Sequence, residues 1–491
     1  MITLKNLEYE LGTAAKLLRD HIDANDYKYY LLRLLLVKRL SDLFEEEAKI
    51  IEQETGNCDL AENSSDKYRF FIPEGSRWSN LQRIKENVGD NFNKALVAIE
   101  DANPKFQGIF ANPGFNRWEK VDDHILLSLI RQFSSLNLRN SNLAEADVIG
   151  CACKELLEKS AFSRGQKGGE STTPPQVAKL LVGLVEPREK MHICDPVCGM
   201  GGLLVECTHQ IQNQKGNPRN VSLYGQEINR ETWTTAKINL LLHDIFKFDI
   251  RLGDTIRNFQ LVQKDGKLML FDRVIAHPLL NLSDWGYEIV REGKDNRFRY
   301  GTPPDSSGDF AFIQHILATL NETGKAVVLV SHGGLSRRGA EAVIRGGMIG
   351  ADLIEAVIGL ASNLLYGSKM PAAILVLNRN KKKNRQGDIL FIDASHEYQA
   401  GKNQNYLSDQ HIERIISAYS NFQDQEGYAK IVPCKQIAAD DYILNIKRYV
   451  TPPKLEVNIE AEINKLRKLE AERTRVESEI DEFLRALGIK I

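Results

Sequence analysis

The chain has 491 residues, 42% of them hydrophobic and 26% charged; it is too long for one compact core, and its composition excludes wholesale disorder. The 64 basic and 66 acidic residues leave a net charge of −2, which excludes histone-like binding of nucleic acid through bulk positive charge. Apolar runs such as Ala326–Val330 fall far short of a membrane span, and Met1-Ile2-Thr3-Leu4-Lys5 does not read as a signal peptide. Seven cysteines without paired CxxC spacing point to a reduced, cytosolic protein without structural zinc.

Residues from about 4 to 55 read as helix. Leu17, Leu18, Ile22, Leu31, Leu32, Leu34, Leu35, Leu36, Leu40 and Leu43 recur at helical spacing among charges, and Asp23-Ala24-Asn25-Asp26 reads as a break and cap between two helices. Residues 56–75 are loop-like and more helix follows to about 160. The glycine-rich stretch Ser163–Glu170 then marks a change of character. Beyond it, strand-like runs at His192–Asp195, Val221–Gln226, Asp249–Leu252, Phe271–Ala276, Lys325–Val330, Leu353–Ile358 and Ala372–Asn378 alternate with helical patterns. Such alternation predicts an α/β domain with a doubly wound, largely parallel sheet. After Thr451-Pro452-Pro453, Leu466, Leu469, Val476, Ile480, Phe483 and Leu487 follow 3/4 spacing among dense charges, with Arg473 in one slot. This is a coiled-coil-like helix suited to partner contact. The expected division is a helical domain over 1–160, an α/β domain over 161–450 and a terminal helix over 451–491.

The most informative segment is Asp195-Pro196-Val197-Cys198-Gly199-Met200-Gly201-Gly202, a glycine-rich strand-to-helix turn. Such a turn brings backbone N–H groups close to a ligand. It lacks the lysine and the glycine spacing of phosphate loops, and an acid at the strand end repels pyrophosphate. The acid suits a cation, such as the ammonium and sulfonium of S-adenosylmethionine. Glu227 ends the next strand, placed to accept from ribose hydroxyls. Asp254 ends the one after, placed to accept from an adenine amino group. Each acid alone reads equally well as a helix cap; three at successive strand ends point to a cofactor site at the sheet's C-terminal edge.

The chain resembles the modification subunits of type I restriction–modification systems, N6-adenine DNA methyltransferases. Asp195–Gly202 is similar to that family's DPxCGSGG motif, and Gly225–Asn229 and Asn239–His243 to its following segments. Arg297–Pro304, Asp309–Phe312, Ala356–Leu360, Phe391–Ala394 and Asp441–Asn445 resemble later ones, and His21–Ala24 with Tyr27-Lys28 the helical N-terminal part. The resemblance implies transfer of a methyl group from S-adenosylmethionine to adenine N6, with the cofactor held by Thr173, Pro174, Asp195, Cys198, Gly199, Gly201, Glu227 and Asp254. It also implies as partners double-stranded DNA, a specificity subunit, a restriction subunit and a second modification subunit, in the cytoplasm and away from membranes.

In this family an Asn-Pro-Pro-Phe loop after the fourth strand holds the extruded adenine. The matching residues are His277-Pro278-Leu279-Leu280. His277, Pro278 and Leu280 are therefore the candidate catalytic residues. A neutral imidazole offers one acceptor and one donor, and Leu280 has no ring to stack, where base–aromatic stacking contributes about 1–3 kcal/mol. The substitutions predict slow turnover, with a catalytically degenerate assembly subunit as the alternative. Two further departures are Ser171-Thr172-Thr173-Pro174 for Phe-Tyr-Thr-Pro and Met200 for a small polar residue, whose side chain is expected to crowd the pocket. His332 reads as a loop residue and His243 as a buried, satisfied one. Cys198 reads as packing and not as a nucleophile. Arg337-Arg338 is a candidate phosphate contact, ahead of Arg379, Lys381–Lys383 and Arg385.

Overall fold

The structure, a computed structural model, describes residues 1–19, 21–22, 27–56, 68–110, 118, 121–163, 172–292, 295–451 and 459–486. The expected break at 23–26, the glycine-rich run 164–170, Pro452-Pro453 and Leu487 lie outside the described residues. The N-terminal part is helical: α1 (Leu4–Arg19), α2 (Tyr27–Thr55), α3 (Val88–Ala102), α4 (Asp123–Ser134) and α5 (Val148–Ser163). Every residue of α2 from Tyr27 to Phe44 is buried, as befits a helix enclosed on all sides by others. Within it Lys38 pairs with Asp42 at 2.5 Å, and Asp42 also accepts from the Leu138 backbone N–H at 2.7 Å. Leu7, Leu32, Leu36, Phe92, Leu129 and Ile149 belong to one apolar cluster of these helices.

The sheet carries nine strands in the order β3-β2-β1-β4-β5-β7-β6-β8-β9. They are β1 (His192–Asp195), β2 (Ser222–Glu227), β3 (Phe248–Leu252), β4 (Phe271–Ala276), β5 (Leu320–Ser331), β6 (Ile354–Leu360), β7 (Ala372–Asn378), β8 (Asp388–Ala394) and β9 (Ala429–Pro433). Helices α6 (Pro175–Val185), α7 (Gly202–Asn213), α8 (Arg230–Leu242), α9 (Asp309–Thr319), α10 (Ala340–Gly350) and α11 (Asp409–Asn421) cover it. Successive strand residues point to opposite faces. Val327 and Leu329 of β5 thus join the cluster under α6, α7 and α11, while Ala326, Val328 and Val330 join the one under α9 and α10. The sheet is doubly wound and largely parallel. β7, however, runs antiparallel to both β5 and β6, because the 361–371 connection is too short for a crossover helix. β8 and β9 extend the sheet beyond the seven expected strands, with β9 antiparallel on β8.

Residues 451–491 form a unit of their own, containing α12 (Ile459–Ala486). Along it Leu466, Leu469, Val476, Ile480 and Phe483 are exposed, and Arg473–Glu477 and Arg475–Glu479 pair at i,i+4. No described helix is long and apolar enough to cross a membrane.

Candidate active site

β1 to β4 run parallel, so the residues that follow them meet at one edge of the sheet. After β1 the chain turns sharply. Gly199 and Gly201 hold φ of +52° and +78°, left-handed values that favour glycine. The Cys198 N–H donates to the Gln226 carbonyl of β2 at 2.9 Å. Gly225 leaves room for Cys198, since a Cβ there would stand 3.0 Å from its sulfur. The Cys198 thiol is buried, which pushes its pKa well up and makes it a packing group. Met200 packs into the cluster of the N-terminal helices, and Asn239 of α8 donates to its carbonyl at 2.9 Å. Its side chain packs on the helical part and also lines the cavity, where it takes up space as expected.

A cavity of about 420 Å³ opens beside this turn. Asp195, Cys198, Gly199, Glu227, Asp254, Thr173 and His277 all line it; Pro174, Gly201, Pro278 and Leu280 do not. Asp195 is 1% exposed and accepts from the Val197 N–H at 3.0 Å. Burial, aided by the like charge of Glu227, pushes its carboxyl up to about 8. Glu227 accepts from the Gly199 N–H at 3.1 Å and the Asn229 N–H at 2.8 Å, and burial raises its pKa too. Asp254 does cap the turn after it: one oxygen accepts from the Ile256 and Arg257 N–H groups, both at 2.8 Å, and the other pairs with Arg257 at 3.0 Å. Capping and lining thus coexist at Asp254. Two carboxyl groups in a buried pocket, which a cation would draw into the ionised form, beside backbone N–H groups, fit a ligand carrying both a cation and hydrogen-bonding hydroxyls.

His277 follows β4. Its Nδ1 lies 2.9 Å from the Thr173 hydroxyl, and burial pushes its pKa down to about 4, so the ring is neutral at physiological pH. Pro278 is buried and Leu280 packs partly buried against the sheet cluster; Leu279, more exposed, lines the cavity instead. The loop's far end is pinned. The Asn281 N–H donates to Asp309 at 2.9 Å, and Asp309 accepts from the Ser331 hydroxyl at 2.5 Å. Arg337 donates to Asn281, to Ser307 at 2.9 Å and to Glu341 at 2.7 Å. Arg337 is thus a loop anchor committed to internal partners, and Arg338 alone of that pair is largely exposed.

Lys381 and Arg385 are likewise buried and paired, with Asp352 at 2.5 Å and Glu355 at 3.3 Å. Arg379 donates to the Leu317 carbonyl at 2.7 Å. The His332 Nε2 lies 3.2 Å from the Ala372 carbonyl.

Several lining residues carried no sequence signal. Tyr29 of α2 and Lys154, Leu157 and Glu158 of α5 reach the cavity from the N-terminal helices; nothing in their local pattern distinguishes them from other helix positions. Trp285 and Phe312 supply aromatic wall. Trp285 is fixed by N–H bonds to the Pro304 and Asp305 carbonyls at 3.0 and 3.1 Å. Gly308 admits it, because a Cβ there would fall 2.5 Å from its own Cβ. The helical part also meets α7 and α8 through Asp147, whose carboxylate lies 2.9 Å from His209 and 2.8 Å from His243. Asp147 pairing holds His243 in place while its burial keeps the ring neutral.

The comparisons agree with this architecture. The N-6 DNA Methylase family model matches residues 144–457 and the HsdM N-terminal domain model residues 7–133. The chain is 32% identical over 482 residues to the type I restriction enzyme MjaVIII methylase subunit of Methanocaldococcus jannaschii, covering 93% of this chain and 80% of that protein. It is 30% identical to the HindI methylase subunit of Haemophilus influenzae, covering 77% and 89%. The crystal structure of a type I restriction-modification system methyltransferase subunit from Streptococcus thermophilus superposes with a TM-score of 0.77 at 27% identity, over 92% of this chain and all of that one. The chain therefore belongs to the N-6 DNA methylase family, the adenine-specific DNA methyltransferases of type I restriction–modification systems.

Proposed function

We propose that the cavity takes S-adenosylmethionine at Asp195, Cys198, Gly199, Glu227 and Asp254 and an adenine extruded from double-stranded DNA at His277. The observation that supports this most directly is the meeting of three strand-end carboxylates, the glycine turn and His277 around one cavity. When bound, the cofactor supplies a methyl group on a cationic sulfur. The protein's own residues then have defined tasks. Asp195 and Glu227 provide negative charge for the cation and acceptors for hydroxyls. The His277 imidazole provides an acceptor for an N6–H, leaving the nitrogen lone pair free of the protein. Leu279, Trp285 and Phe312 exclude water from the reacting end. Pro278 and Leu280 hold the loop, and Pro174, at the start of α6, fixes Thr173.

In this reading residues 1–160 and 161–450 form the helical and catalytic parts. Helix α12 docks a specificity subunit in a cytoplasmic complex that also holds a restriction subunit and a second modification subunit. The test is transfer of tritiated methyl from S-adenosylmethionine to duplex DNA by the chain co-purified with its specificity subunit, with the product nucleoside identified. N6-methyladenine is the expected product. Label in cytosine, or none in a complex that binds the cofactor, would overturn the proposal.

A further inference from the structure

His277 stands where the family's loop has an amide. An amide always presents an acceptor oxygen; an imidazole presents one at Nε2 only if its proton sits on Nδ1. Something must therefore choose the tautomer. Thr173 is placed to do so, with its hydroxyl 2.9 Å from Nδ1. Thr173 is itself held firmly. It precedes Pro174-Pro175, which restrict it to extended backbone, and the Pro174 carbonyl accepts the Ala178 N–H of α6 at 2.9 Å. Among the described residues Nε2 has no hydrogen-bond partner, so this nitrogen is the one left for a ligand in the cavity.

A hydroxyl can either donate or accept, so two arrangements exist. If Thr173 donates to Nδ1, then Nε2 carries the proton and turns a donor toward an amino group that is itself a donor. If Nδ1–H donates to Thr173, Nε2 is a bare acceptor. We propose that Thr173 is a positioning residue for the methyl-transfer reaction: its hydroxyl accepts the Nδ1–H of His277 and so keeps Nε2 as the acceptor for the substrate amino group. This rests on the reading that His277 holds the target adenine. The neutral state that a tautomer requires comes from burial alone, with no charged partner contributing. The substitution of histidine for the amide and the retention of a threonine hydroxyl at 173 then belong together, since the hydroxyl supplies the order that an amide has built in.

Two measurements test this. Nitrogen NMR of the full chain labelled in histidine, assigned with His277→Asn, reports the tautomer directly. The proton is expected on Nδ1; a proton on Nε2 overturns the proposal. Methylation kinetics of the complex with the specificity subunit form the second arm. Thr173→Val, which keeps the shape and removes the acceptor, is expected to lower kcat by about tenfold or more, a larger factor than any rise in KM for S-adenosylmethionine. Thr173→Ser is expected to recover most of the loss. In a His277→Asn background the same Thr173→Val change is expected to lower kcat by a several-fold smaller factor, because no tautomer remains to be set. An unchanged kcat in Thr173→Val, or an equal loss in both backgrounds, contradicts the role. If His277→Ala itself leaves kcat unchanged, the adenine reading fails; if His277→Ala is impaired while Thr173→Val is not, only the Thr173 role fails.

Discussion

On the proposed function, Asp195 gives the pocket a proton-linked affinity for its cofactor. Its carboxyl is 1% exposed and lies near Glu227, with a backbone N–H from Val197 at 3.0 Å. Burial first, and the like charge second, raise it to about 8. A carboxyl at that value is about nine-tenths protonated at pH 7, yet a cation pairs with the ionised form. Removing the proton costs about 1.4 kcal/mol at pH 7 and about 2.7 kcal/mol at pH 6. Affinity for S-adenosylmethionine is therefore expected to rise about tenfold per pH unit from 6 toward 8 and to flatten above, with close to one proton released on binding at pH 7.

Calorimetry in two buffers of different ionisation enthalpy counts that proton. Asp195→Asn should weaken binding, remove most of the proton release and flatten the profile. The sign is fixed by the direction of the shift. A carboxyl raised in the folded state favours the protonated form, so the cofactor-free fold loses stability as pH rises from about 4 through 8. Asp195→Asn should accordingly raise Tm at pH 8 and change it little at pH 4. Equal affinity at pH 6 and pH 8, with no proton released, would refute the reasoning.

Other expectations follow from particular contacts. His209 sits between Asp147 at 2.9 Å and Glu206 at 3.8 Å, and these carboxylates raise it to about 9 against the opposing effect of burial. Its contribution is present in full below its ordinary value near 6.5 and lost as pH rises through 9. His209→Gln should therefore cost about 1–3 kcal/mol in urea unfolding at pH 6 and almost nothing at pH 10. Gly150→Ala should destabilise by about 2–4 kcal/mol, because its Cβ would fall 2.1 Å from the His243 Nδ1 and 2.3 Å from an Asp147 oxygen. Gly12→Ala, with nothing within 4 Å of the new Cβ, should be neutral or stabilising, both variants being read by urea unfolding. Removing residues 455–491 should leave the remaining chain folded by circular dichroism but unable to co-purify with the specificity subunit.

β7, apolar and buried from Ala372 to Leu377, was readable from sequence because burial on both faces demands such a run. β1, β4 and β7 begin and end where the pattern places them. β9 was not, because Ala429–Pro433 is short, carries Lys430 and ends in proline, the marks of an edge strand. β8 has a clear Ile389–Ile392 core, but only the resemblance pointed to that segment. Asp195, Glu227 and Asp254 were readable because a parallel sheet turns strand ends into neighbours. Tyr29 and Lys154 were not, because no local rule brings a distant helix face to that edge. Arg337 shows the converse: a basic pair after a strand reads as surface charge, and only the folded loop reveals Asn281 and Glu341 as its partners. The loop facing was equally hidden, since irregular backbone has no period to say whether Leu279 or Leu280 turns inward.

On the proposed function, His277 does the work of an amide acceptor in adenine methylation. Single-turnover methylation of duplex DNA by the assembled complex, comparing wild type with His277→Ala and His277→Asn at saturating cofactor, tests it most directly. Leaving the reacting amino group without its hydrogen-bond partner, at about 1–3 kcal/mol, predicts a rate about five- to a hundredfold lower in His277→Ala. His277→Asn should stay within about tenfold of wild type. A His277→Ala complex that methylates adenine at the wild-type rate would contradict the account.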